Sequence, residues 1–216
     1  MKNIVILLLF SILMLASPEL SSKNFPVHGR GLLRTEFRTT TPFTRLDSRI
    51  KADIRIVRSK IRNISITAQE NIIPLIDLTE RNGTLCISTG AYQFTSDSAI
   101  KITIYIPEIE EICLSGSGSI FSEYPCGSIK IPGDGTISCM GNTSQVSVDI
   151  SGNGRINLEA VKLKNCFVNI TGTGVVTINS SNKLEVIIPG TGTVFYTGNP
   201  EIRSSISGNG QVVARK

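Results

Sequence analysis

Few side chains in this sequence have the type and spacing that chemistry demands. A single histidine, His28, accompanies five cysteines, Cys86, Cys113, Cys126, Cys139 and Cys166, and no two of these are spaced C-x-x-C. A zinc site built from cysteine and histidine is therefore not expected. Polysaccharide hydrolysis or elimination would require carboxylates gathered in one groove as acid, base or metal ligands. The nearest approach to such a pair is Asp134 with Asp149. Glycine pairs recur along the second half, and glycine-rich loops can cradle phosphates. These pairs, however, lead into strand-forming residues instead of a helix, and none ends in GK[ST]. The reading is a protein that is not an enzyme, with no catalytic residue, metal or cofactor.

The glycines belong to a repeat, [IV]-x-[IL]-[STP]-G-x-G-x-[IV]. Its six copies hold Gly116 and Gly118, Gly133 and Gly135, Gly152 and Gly154, Gly172 and Gly174, Gly190 and Gly192, and Gly208 and Gly210, with offsets of 17, 19, 20, 18 and 18 residues. Leu114, Ile131, Ile150, Ile170, Ile188 and Ile206 stand two residues before each pair. Ile120, Ile137, Ile156, Val176, Val194 and Val212 stand two residues after it. Each copy thus brings one alternating strand into a bend and another out of it. A unit of this length cannot bury its apolar side alone, so the units must stack at about 4.8 Å per rung, which predicts an all-β parallel solenoid. The glycines would form one aligned corner, through unusual backbone angles, close approach of the next coil, or both.

The register sorts the outward side chains into columns. Between the glycines lie Ser117, Asp134, Asn153, Thr173, Thr191 and Asn209; three residues before the first glycine lie Cys113, Lys130, Asp149, Asn169, Ile187 and Ser205. No column stacks two carboxylates, and Asp134 and Asp149 occupy different columns. The lattice of Ser, Thr and Asn suits a repetitive partner such as a glycan or another envelope component. Val175, Ile187, Phe195 and Val213 are expected to face outward as an apolar contact patch, suited to self-association into a homo-oligomer or to attachment. By the same parity Cys86 and Cys113 point outward, as a candidate disulfide, whereas Cys139 and Cys166 fill the interior.

The formal charge of +5 is concentrated. Residues 30 to 62 hold ten basic side chains against Glu36, Asp47 and Asp53. Arg49, Lys51, Arg55, Arg58, Lys60 and Arg62 form a candidate patch for anionic partners, set against the simpler reading of solvated outer strand faces. Without tryptophan and with few aromatics, a nucleic-acid partner is not expected.

The N-terminus carries its own signal. Lys2 precedes the apolar run Ile4 to Ala16, too short to span a bilayer comfortably and matched to a secretory signal peptide. The expected organisation is a signal peptide and cleavage region over 1–22, a flexible leader over 23–42, and one β-helix domain over 43–216. That domain divides into irregular coils or a cap over 43–107 and regular G-x-G coils over 108–216. Strands are expected at about 46–57, 61–67, 72–79 and 84–88, with no helix. The mature chain has no transmembrane segment in this reading and is exported to the periplasm, the outer-membrane surface or the medium.

The runs IKITIYIPEIEEICLSGSGSI, VSVDISGNGRINLEAVKLKNCFVNITGTGVVTI and LEVIIPGTGTVFYTGNPEIRSSISGNGQV resemble the head GIN domain family of autotransporter adhesins. With NGTLCIS before them, the resemblance covers about residues 43 to 213. It implies a right-handed β-helix in an exported bacterial protein, with an adhesin-like or scaffolding role and no catalytic residues to carry over. Pro132 and Pro189, where the family usually has Ser or Thr, depart from the common pattern.

Overall fold

The computed structural model describes residues 26–215; the expected signal peptide lies outside the described residues. In chain order the strands are β1 (Val27–His28), β2 (Leu33–Arg38), β3 (Arg45–Ser48), β4 (Asp53–Arg58), β5 (Asn63–Gln69), β6 (Asp77–Arg81), β7 (Thr84–Ser88), β8 (Phe94–Thr95) and β9 (Lys101–Ile106). The second half continues with β10 (Glu111–Leu114), β11 (Ser119–Ser122), β12 (Ser128–Ile131), β13 (Thr136–Cys139), β14 (Gly141–Ile150), β15 (Arg155–Ile170), β16 (Val175–Ile188), β17 (Thr193–Thr197), β18 (Glu201–Ile206) and β19 (Gln211–Ala214).

In the second half the alternation of aliphatic and polar residues winds the chain into stacked parallel coils, as the repeat predicts. Ile120, Ile137, Ile156, Val176, Val194 and Val212 are register partners in succession. On the other side of the bend Ile131 pairs with Ile150, Ile150 with Ile170, and Ile188 with Ile206. Stacked aliphatic side chains fill the interior: Leu114, Ile131, Ile150, Ile170 and Ile188 are fully buried. Each such residue contributes about 1.5–3 kcal/mol relative to exposure. Opposite the glycine corner, β14, β15 and β16 round the coil without interruption, and Gly141 to Thr143 pairs with Val161 to Leu163 as a shorter third face.

The glycine corner owes its composition to close approach alone. None of the twelve glycines has a positive φ, so the left-handed conformation offered as one explanation does not operate. A Cβ on Gly116 would lie 2.7 Å from the Ile50 carbonyl oxygen of the neighbouring rung. A Cβ on Gly174 would lie 2.6 Å from Cγ2 of the interior Ile150. The first glycine of each pair therefore meets backbone, and from Gly135 onward the second meets an interior side chain.

The first half joins the same stack in a different order. β3 and β4 pair in parallel with β10 and β11 on one side and with β7 and β9 on the other. The rung at 45–58 is thus sandwiched between residues 84–106 and 111–122. Beyond it β5 runs antiparallel to β9, β2 antiparallel to β5, and β6 antiparallel to β7. The strand expected over 46–57 is split by the corner at 49–52. The one expected over 72–79 begins as a 3-10 turn, Ile73–Leu75, around Pro74, and only β6 is extended. Residues 33–38, read from sequence as leader, form an ordered strand; Leu33 and Phe37 are 55% and 66% exposed. Open on both faces, that strand carries no buried apolar alternation that would have announced it.

Candidate functional site at the first corner

On the inner rung four residues, 49–52, link the faces. On the outer rung, whose strands are in register with it, residues 89–100 make the same journey. The longer segment leaves the stack, pairs β8 with β1, and opens a cleft of about 840 Å³. Its walls include Arg49, Lys51, Asp53, Tyr92, Phe94 and Ser119. This detour also explains why Ile50 and Ala52 stand where later rungs have glycine: the corner backbone that would crowd a Cβ is absent beside them.

The cleft combines a cation, an aromatic ring and hydroxyls. Tyr92 is 57% exposed, and Lys51 is exposed with no carboxylate in ion-pair range among the described residues. Arg49 is held 2.7 Å from Asp47, a hydrogen bond that makes the guanidinium still more basic. Ser119 donates to Asp53 at 2.6 Å. Thr89 and Ser98 add hydroxyls to the same walls.

The basic residues singled out from sequence are not one cluster. Arg49 and Lys51 reach the cleft. Arg55 lies on the outer face of β4, bonded to Glu123 at 2.6 Å and stacked over Phe121. Arg58 covers Tyr124 with its guanidinium 4.7 Å from the ring centre. Lys60 and Arg62 follow β4, at the opposite end of that strand from the cleft, with Nε of Arg62 buried and unpartnered among the described residues. Tyr92 and the 89–100 loop carried no repeat or motif; their only sequence signal was a polar, aromatic-bearing gap between two strands.

The two carboxylates weighed for catalysis are engaged separately. Asp134 accepts from Asn153 at 2.8 Å, and Thr173 in turn donates to Asn153, a polar ladder along the corner. Asp149 lies in register with Lys130 and accepts from Asn169. Cys86 and Cys113 both pair in register with Asp47, one on either side. Two rungs separate them, about 9.6 Å and beyond the reach of a disulfide; all five cysteines are free thiols. Cys126, Cys139 and Cys166 are buried. A hydrogen bond with Cys126 and burial hold the Cys139 thiol well above its usual pKa, and burial pushes Cys166 up to about 12. Among the described residues no group of His, Cys, Asp and Glu could hold a metal ion. Phe195 lies in register with Thr177 and Val213, half-buried, and Arg215 stacks 3.9 Å from its ring centre. Val175, Ile187 and Val213 are likewise half-buried.

The sequence model of the family described as "Putative auto-transporter adhesin, head GIN domain" matches residues 42–128 and 127–200. The chain belongs to that family. The fold is shared with a crystal structure described as a putative adhesin from Bacteroides fragilis, at TM-score 0.64 and 19% identity over 88% of this chain and 100% of that one. It is also shared with a putative lipid binding protein from Parabacteroides distasonis, at TM-score 0.61 and 20% identity over 89% of this chain and 100% of that one. A putative adhesin from Parabacteroides merdae aligns at TM-score 0.51 and 20% identity, over 88% of this chain and 99% of that one. At such identities the likeness concerns the fold. A search of curated proteins gave no match. No helix among the described residues is long and apolar enough to cross a membrane.

Proposed function

We propose that this head GIN domain protein is an exported, non-enzymatic, adhesin-like binder whose ligand is an acidic saccharide of the cell envelope, seated in the first-corner cleft. The observation that carries this reading is the meeting of Lys51, the exposed Tyr92 ring and several hydroxyls in one cleft. An aromatic face supports the apolar face of a sugar ring, hydroxyls and amides select its substituents, and the ammonium group pairs with a carboxylate or sulfate. The stacked coils supply a rigid mount. The apolar run at Ile4 to Ala16 supports export, and the absence of a stacked carboxylate column supports binding without turnover.

The test is titration calorimetry with a uronate oligosaccharide and its neutral counterpart. The exported protein binds the uronate preferentially, Lys51→Ala and Tyr92→Ala each weaken it about tenfold or more, and no new reducing ends appear on long incubation. Product release abolished by Asp134→Asn or Asp149→Asn would establish instead a carbohydrate-processing enzyme. Retention on anionic lipid vesicles with no saccharide binding would replace the ligand by a membrane surface. Binding to none of these would leave a purely structural envelope component. Cell fractionation with surface proteolysis locates the protein on one side of the outer membrane.

A further inference from the structure

The two ends of the stack are finished differently. At the N-terminal end the outermost strands are β2 and β6, antiparallel and charged through Arg34, Glu36, Arg38, Asp77, Glu80 and Arg81. At the C-terminal end β18 pairs only with β16 and β19 only with β17. No other strand among the described residues covers this last rung. Its inward side chains stop short of burial: Ile202 is 38% and Ile206 40% exposed, although their register partners Leu184 and Ile188 are fully buried. Ser207 donates its backbone N–H to Ile188 on the previous coil. Because backbone groups alternate sides along a parallel strand, Ile202, Ser204 and Ile206 turn their N–H and C=O groups toward the open edge.

We infer that the C-terminal rung is closed by a second copy of this chain, β18 pairing antiparallel with β18 of that copy about a two-fold axis through Ser204. The segment Ile202-Arg203-Ser204-Ser205-Ile206 is self-complementary in this register alone. Ile202 faces Ile206 of the second copy, continuing the interior across the junction. The three edge-directed residues complete hydrogen-bonded pairs, whereas centring on Ile202 would spend one position on Pro200, which has no N–H. Arg203 faces Ser205 and stays bonded to its own Glu201 at 3.0 Å, so no like charges stand directly opposite. A two-fold contact of this kind closes at two subunits, whereas head-to-tail pairing of β18 with β2 would propagate into a filament.

Sedimentation equilibrium on the exported protein decides the matter. A dimer is expected in the micromolar range, with the dissociation constant raised about tenfold or more by Ser204→Pro. That N–H points away from β16 and pairs with no strand among the described residues, so the unfolding midpoint of the variant stays close to the parent. Ser204→Cys, treated with a disulfide oxidant, gives a disulfide-linked dimer on a non-reducing gel, with one disulfide of the oxidant reduced for each bond formed. Arg203→Cys and the parent chain do not. A monomer throughout, an open-ended filament, or a dimer lost with Phe195→Ser and unmoved by Ser204→Pro would overturn the proposal. Because the contact lies at the opposite end from the cleft, saccharide binding by Ser204→Pro separates this result from the reading of the cleft.

Discussion

The rungs from Glu111 onward and those before it share one interior yet differ in how chain order maps onto space. In the later rungs each coil after the first lies on the one just completed, so a period near 18 residues is imposed on the sequence by contact with a similar neighbour. In the earlier ones residues 45–58 lie between 84–106 and 111–122, and antiparallel strands finish the end. Each position there meets a different neighbour, and no residue type is forced to recur. The contrast is sharpest at the corner, where Gly116 faces the Ile50 carbonyl while Ile50 itself keeps a full side chain.

Substitution at that corner gives the largest separation of the two regions. Gly174→Val places branched carbon against Ile150 and the Gly154 carbonyl and should destabilise by about 3 kcal/mol or more in denaturant unfolding. Ala52→Gly, at the equivalent place on the inner rung, should cost about 1 kcal/mol. Equal costs would mean that the 89–100 detour does not relieve crowding.

The buried thiols give a second, smaller contrast. Cys166 has its folded pKa raised to about 12 from an ordinary 9.0. The folded state therefore favours the neutral thiol, and its contribution is intact below about pH 9 and lost between there and about pH 12. Over that window the parent should lose up to about 1.4 kcal/mol per pH unit relative to Cys166→Ala. Half-exposed Cys86 should be alkylated in the native state while Cys166 resists until unfolding. Similar rates for both thiols would contradict the difference in burial.

The smallest effect concerns the outer corner. Asn153→Ala removes the bridge between Asp134 and Thr173 and should cost about 0.5–1 kcal/mol. Lys51→Ala, with no ion-pair partner to lose among the described residues, should stay within about 0.5 kcal/mol. Thermal melts of the two single variants make the comparison.

These differences explain what could be read without coordinates. The interior of the later coils, the inward Cys139 and Cys166, and the separation of Asp134 from Asp149 all followed from parity and period, because in-register stacking turns sequence offset into spatial neighbourhood. The sandwiched rung did not, since Leu46, Leu85 and Ile112 are aligned by contacts spanning unequal lengths of chain. β2 escaped because an edge strand exposed on both faces has no apolar alternation. The cleft escaped for a related reason: it is made by a loop leaving the stack, and Tyr92 gains meaning only from the Lys51 corner across from it.

The position of the 45–58 rung also bears on synthesis. It leaves the ribosome before either of its neighbours exists, so one sheet edge stays unpaired until the chain has extended past Ile106 and the other until it has passed Ser122. From that point every new coil finds a finished template waiting, and assembly can proceed one turn at a time toward the C-terminus.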